Sequence, residues 1–366
     1  MPTFRYVPGG ARVALAQASE QICNAVLRAR EGSVDEERAW KLLLLRERLL
    51  LFAPLRHTKR LKRRQELEPG CKARLIRERI ALLLRGEWHR LVRDARDSGR
   101  ALVKAMHADH APRDRSSVAD EVVRKVLADE YSKAAMLLSS PGLAPLTEET
   151  AALLQDLLQP RPRGDPPVQR AGMVDTPELF NEQTFRKILK TSPRGSGAAV
   201  GGGRFEHWKI MAHSPGALAA LRNVCGRLAQ GKVPESAAAA IGMSKLTPLQ
   251  KSGGGVRPIA APNILRRLTA RSLVLPRKSD LASALGEQQF AIGTAAGCEL
   301  LAHTTRAIAE ADPARVFVAL DAKNAYGNVS RDFCLAELQG IAPELLPFAE
   351  VFGCRTSTYL FLGQKR

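Results

Sequence analysis

Residues 316–320, Val-Phe-Val-Ala-Leu, form an apolar run rich in β-branched side chains. The run stops on a carboxylate, Asp321, and an aromatic, Tyr326, follows five residues later. Such a pattern predicts a buried strand, and a buried strand requires a sheet around it. At the end of that strand Asp321 can face a cleft, where a carboxylate serves as ligand to a hard cation. The plainer alternative is an Asp that closes a turn or caps a helix.

A second constraint lies upstream, in Leu246-Thr-Pro-Leu-Gln-Lys251-Ser-Gly-Gly-Gly255-Val-Arg257-Pro-Ile259. Three successive glycines permit positive φ and a tight turn between two strands. Lys251 and Arg257 flank that turn. One is a compact point charge and the other a planar fork, a pair suited to a triphosphate. Exposed cations beside a hairpin turn are the simpler alternative. A helix predicted over 265–275 carries Arg266, Arg267 and Arg271, which either line a nucleic-acid groove or form a solvated face.

The first 160 residues read as helical. Ser33-Val-Asp-Glu36 is a capping box that opens a leucine-rich helix over 38–52, ended by Pro54. Further helices are predicted over 72–95, with Leu75, Leu82 and Trp88 near helical spacing, and over 117–138. Another runs from a Thr147 cap to Leu158. Residues 1–10 read as loosely attached. The run Arg56-His-Thr-Lys59-Arg60-Leu-Lys62-Arg63-Arg64 reads as a nuclear localisation signal, an RNA-binding patch or a charged helix end.

Prolines make residues 160–167 a linker, and Thr176-Pro177-Glu178 opens a new helix. Residues 192–203, rich in Gly, Ala and Ser, read as a flexible loop. Helices are expected near 205–211 and over 217–228 and 297–311, and Ser330 caps one over 331–338. The resulting class is α+β. A basic helical extension spans 1–159, a linker 160–175, and a mixed domain 176–366.

Lys and Arg total 56 against 37 Asp and Glu, a net charge of +19. That excess points to a polyanionic partner. The six cysteines contain no C-x-x-C pair and no His at zinc spacing, which suggests reduced thiols inside a cell and no structural metal. His107 and His110 stand in a polar stretch without further ligands and read as a solvated loop. No apolar run approaches the length of a membrane span, and no hydrophobic signal core follows Met1. A phosphatase with Asp321 as nucleophile fails, because Lys323 stands where such enzymes carry a second Asp.

Asp321-Ala-Lys-Asn-Ala-Tyr-Gly-Asn-Val-Ser-Arg331 resembles motif A of the reverse transcriptases of non-LTR retrotransposons. Leu246–Ile259 resembles the fingers hairpin of the same family, and Leu265-Arg-Arg-Leu268 its basic helix. Gln289–Glu299 resembles the stretch that precedes motif A. More loosely, Gly86-Glu-Trp88 and the stretch from Tyr131 to Gly142 resemble the helical extension ahead of the fingers.

The resemblance implies fingers and a partial palm that take an RNA template, a DNA primer and deoxynucleoside triphosphates. Asp321 and the Ala322 carbonyl would hold Mg²⁺ or Mn²⁺. Tyr326 would floor the sugar pocket and exclude a ribose 2′-OH, with a core aromatic as the alternative. Lys251 and Arg257 would hold the triphosphate. Ala322 replaces a larger aliphatic of the family pattern, and Gly327-Asn328 replaces Asn-Ser.

The second catalytic Asp motif and the glycine-rich motif that should precede it are absent, so the expectation is an RNA-directed DNA polymerase domain incomplete as given. The alternative is an inactive nucleic-acid-binding remnant. A nuclear or ribonucleoprotein setting goes with either reading, and the oligomeric state stays open.

Overall fold

In the computed structural model, residues 3–54, 68–108, 115–127, 129–158, 181–286, 288–292, 294–322, 324–353 and 358–361 are described. Helix α1 (Gly9–Arg28) stacks Ala11, Leu15, Ala18, Ile22 and Val26 along one buried stripe. Helix α2 (Val34–Leu50) opens on Ser33, whose hydroxyl accepts the Glu36 amide at 3.1 Å. The Glu36 carboxylate reaches one residue further back than a simple box, accepting the Gly32 amide at 2.8 Å.

The helix expected over 72–95 is two helices, α3 (Pro69–Leu84) and α4 (Trp88–Ala108). Gly86 takes φ +79 between them. The Gly86 amide bonds to the Leu83 carbonyl and the Glu87 amide to the Leu82 carbonyl, a left-handed stop. The helix expected over 117–138 breaks in the same way, into α5 (Arg115–Val126) and α6 (Tyr131–Ser139). Here Asp129, at φ 56, holds the left-handed position. Helix α7 (Glu148–Leu157) starts from Thr147, which accepts the Thr150 amide at 3.3 Å.

Beyond residue 180 come α8 (Glu182–Thr191), α9 (Phe205–Lys209), α10 (Pro215–Ala229) and α11 (Glu235–Gly242). Strands β1 (Ser244–Gln250) and β2 (Val256–Pro262) form the expected antiparallel hairpin. Then follow α12 (Ile264–Val274), α13 (Lys278–Leu285), α14 (Gly297–Ala311), α15 (Ala325–Asn328), α16 (Arg331–Ile341) and α17 (Leu346–Gly353). Strand β3 (Tyr359–Leu360) pairs parallel with Ser244 and Lys245, giving the order β2-β1-β3. The class is α+β: many helices and one small sheet.

One core joins α1, α2 and α3 to α8, α10 and α12 through residues such as Leu15, Trp40, Ile76, Phe185, Leu221 and Leu268. Residues 160–175 lie outside the described ones, and helices before and after them share this core. A smaller cluster seats Leu154 of α7 on Leu246 and Val256 of the hairpin. The first and second halves are also tied by buried polar groups. The Arg46 guanidinium donates to the Ser19 hydroxyl at 2.6 Å, to Glu47 at 3.1 Å and to the His207 carbonyl at 2.8 Å. It also lies over the Trp208 ring at 4.0 Å.

Three further expectations are corrected. Residues 1–10 are not loose over their described part. Phe4 and Val7 are buried, the Phe4 amide bonds to the Leu51 carbonyl, and the His207 ring donates to the Phe4 carbonyl at 2.7 Å. Residues 192–203 are not a free loop either. Thr3 donates to the Gly202 carbonyl, Arg48 donates to the Val200 carbonyl, and Ala199 is buried.

The run at 316–320 forms no strand, and Val316 and Leu320 are 82% and 92% exposed. Apolar, β-branched composition makes a strand only when another edge takes up its backbone groups. Among the described residues no strand lies beside this run.

Candidate functional site

The hairpin sets the geometry of its two cations. Its register pairs Leu249 with Arg257 and Thr247 with Ile259. Directly opposed residues share a face, and faces alternate along a strand. Lys245, Thr247, Leu249, Arg257 and Ile259 therefore occupy one face, and Lys251 continues it into the turn. Leu246 and Val256 occupy the other, against α7. The Lys251 amide bonds to the Gly255 carbonyl at 3.1 Å and the Gly254 amide to the Lys251 carbonyl at 3.2 Å. Gly254 and Gly255 sit at φ +87 and +82, a path that side chains disfavour. Lys251 and Arg257 thus stand exposed at the tip of one sheet face.

The three arginines of α12 have divided roles. Asn263 accepts the Leu265 amide at 2.9 Å and starts the helix. The Arg266 guanidinium lies 5.0 Å from the Phe352 ring centroid, and Arg267 lies 4.7 Å from that of Phe205. Arg267 also donates to the Gly197 carbonyl at 3.3 Å. Burial holds both guanidinium groups below their usual pKa. Arg271, one turn on from Arg267, is half-buried. Arg267 and Arg271 therefore share a helix face, while Arg266 is engaged with Phe352 elsewhere.

Asp321 and Ala322 are exposed and in irregular backbone. Just beyond them Asn324 takes the left-handed conformation, φ 53, and opens α15, which contains Tyr326. The Asn324 side-chain amide donates to the Leu157 carbonyl of α7 at 2.9 Å. Helix α7 therefore touches the hairpin through Leu154 and the 321–328 segment through Leu157. Among the described residues no group of three or more His, Cys, Asp or Glu comes together. Asp321 alone does not fit the two-cation site implied by the resemblance.

The basic residues Lys59, Arg60, Lys62, Arg63 and Arg64 lie outside the described residues, as does His110. Burial pushes the Cys23 and Cys225 thiols up to about 12, which removes them as nucleophiles near neutral pH. No described helix is long and apolar enough to cross a membrane. Comparison with family models, with curated proteins and with solved structures finds no match to this chain.

Proposed function

We propose that this chain is the fingers and partial palm of a reverse-transcriptase-like, RNA-directed DNA polymerase, acting here as a nucleic-acid-binding unit. The observation that carries the reading is the hairpin. A Lys and an Arg emerge on one exposed sheet face, joined by a turn that needs glycine, and a helix rich in Arg follows directly. Lys251 and Arg257 bind the triphosphate of a deoxynucleotide. Net charge of +19 and Lys59–Arg64 serve the RNA template and DNA primer by phosphate neutralisation, in an intracellular nuclear or ribonucleoprotein setting.

The second reading, an inactive nucleic-acid-binding remnant, is favoured by the exposure of Asp321 and the single carboxylate it offers. A pair of Mg²⁺ or Mn²⁺ ions joins the reading only where a second carboxylate accompanies Asp321 and the Ala322 carbonyl.

Primer extension with Mg²⁺ or Mn²⁺, beside a salt titration of RNA binding, tests both readings. The purified chain should bind RNA without extending a primer. Its log affinity should fall by roughly 0.7–0.9 per neutralised phosphate for each decade of salt. Lys251→Ala and Arg257→Ala should weaken nucleotide binding and spare template binding. In a longer chain that adds a second catalytic Asp motif, extension that survives Asp321→Asn would remove Asp321 from the reading, and salt-insensitive RNA binding by the present chain would remove the reading itself.

A further inference from the structure

The exposed run at 316–320 carries an internal symmetry that bears on what covers it. Val316, Phe317, Val318 and Leu320 are 82%, 49%, 76% and 92% exposed. Among the described residues no backbone–backbone hydrogen bond engages 316–321. An apolar run with free amides and carbonyls is a template for strand pairing. Opposite charges stand at its two ends: Arg315 precedes it and Asp321 follows it, both exposed. Arg315 meets Asp312 at 3.4 Å, a surface contact that contributes little and leaves the guanidinium open to a second acceptor.

Two copies of this run laid antiparallel about Val318 give every residue a suitable opposite. Arg315 of one copy faces Asp321 of the other at both ends, Val316 faces Leu320, Phe317 faces Ala319, and Val318 faces its own counterpart. Directly opposed residues share a face, and faces alternate along a strand. One side of the pair therefore gathers Val316, Val318 and Leu320 from both copies. The other carries Phe317 and Ala319 between the two ion pairs. A slip of one or two residues either way sets Asp321 against Pro313, Ala314, Val316 or Phe317. Parallel pairing sets Arg315 against Arg315 and Asp321 against Asp321, which is unfavourable. Charge thus selects one orientation and one register. The chain's own sheet edges are poorer partners. Strand β2 carries Pro258 and Pro262, which have no amide to donate, and β3 is two residues long. Strand β1 is flanked by β2 on one side and by β3 and Leu143 on the other.

We propose that residues 315–321 are the interface of a symmetric dimer, in which a second copy of this chain pairs antiparallel about Val318 with reciprocal Arg315–Asp321 contacts. Such an interface is isologous, the same patch serving both copies. It stands whether or not the polymerase reading holds. The patch is small, so the dissociation constant should be on the order of 100 µM. A net charge of +19 on each copy repels its partner at long range, so the dimer weakens in low salt. In dilute solution the chain is a monomer with its run open; the second copy supplies the edge that a strand needs.

Sedimentation of the whole chain over a concentration series, at about 0.15 M salt where screening is strong, tests the pairing. A monomer–dimer equilibrium is expected. Arg315→Asp and Asp321→Arg each set like charges at both ends of the pair, and each should weaken dimerisation about tenfold. Mixed in equal amounts, the two variants restore opposite charges at both ends and should associate as tightly as the original chain. The double variant should do so by itself. Val318→Lys sets two ammonium groups face to face and should abolish the dimer. The substituted side chains are exposed, so the variants keep their fold, which amide protection in α10 verifies. Protection of the 316–320 amides should grow with protein concentration in the original chain and not in Val318→Lys. A chain that stays monomeric at millimolar concentration overturns the proposal, as do dimers indifferent to charge reversal or not restored by mixing. Protection independent of concentration would assign the run to an edge of its own chain, and growth beyond a dimer would show an open stack; either overturns the symmetric pair.

Discussion

Helix α10 and the stretch from α14 to α15 carry comparable apolar content and meet different fates. Ala217, Leu218, Leu221, Val224, Cys225 and Leu228 of α10 are all buried in the shared core. Helix α14 has no buried residue, and the apolar run that follows it is open to solvent. Yet α14 occupies residues 297–311, the bounds its sequence pattern implied. A helix closes its backbone bonds within itself, so it can form with or without a partner surface. A strand cannot, and residues 316–320 remain irregular. The described body and the described motif-A-like segment therefore differ in packing more than in local propensity.

The largest test of that contrast lies in the body. Arg46→Met removes the guanidinium that bridges Ser19, Glu47 and the His207 carbonyl. Burial already pushes the Glu47 carboxyl up, and the substitution leaves it buried without its counter-charge. A loss of about 3–5 kcal/mol is expected in denaturant unfolding. A loss under about 1 kcal/mol would mean that the apolar core alone holds the two halves together.

Next comes pH. Burial holds the His207 imidazole at about 3, against 6.5 when free. Its geometry is that of the neutral ring: Nδ1 accepts the Arg204 amide and Nε2 donates to the Phe4 carbonyl. The unfolded chain binds this proton below 6.5 and the folded chain does not. Stability from this group is therefore complete above about 7 and lost progressively as pH falls toward 3. At pH 5 the deficit is about 2 kcal/mol. The difference in unfolding free energy between pH 7.5 and pH 5 should shrink by that amount in His207→Gln. An unchanged difference would assign the acid sensitivity to other groups.

The hairpin sits between the two regions, and it was the most legible part of the site. Glycines and flanking cations are local signals, and they located the turn between Lys251 and Arg257; the shared face came from the strand register. Gly254→Ala, at φ +87, should cost about 1 kcal/mol and weaken nucleotide binding through the turn. Binding unchanged in the folded variant would detach the turn from the site.

What the sequence did not reveal depends on distant contacts. Arg5 lies in a tail that reads as loose until Phe4 finds Leu51 and His207. Ser196 and Arg204 lie in a glycine-rich stretch that reads as flexible until Thr3, Arg48 and Glu206 hold it. Gly86 and Asp129 broke two predicted helices, and only the glycine carried a local warning.

The smallest expected effect is the sharpest statement about the motif-A-like segment. Leu320 is 92% exposed, so truncating it removes almost no buried apolar surface. Leu320→Ala should change stability by no more than about 0.5 kcal/mol. Leu221→Ala, at a fully buried position of α10, should cost about 2–5 kcal/mol. Amide hydrogen exchange reads the same contrast without a mutation. The 316–320 amides should exchange at rates close to those of an unfolded peptide, while those of α10 are protected up to the global stability. A large Leu320→Ala cost, or protected amides at 316–320, would mean that this run is paired as a strand in solution. Asp321 would then sit at a strand end, as the family resemblance implies, and the comparison between the two regions would collapse.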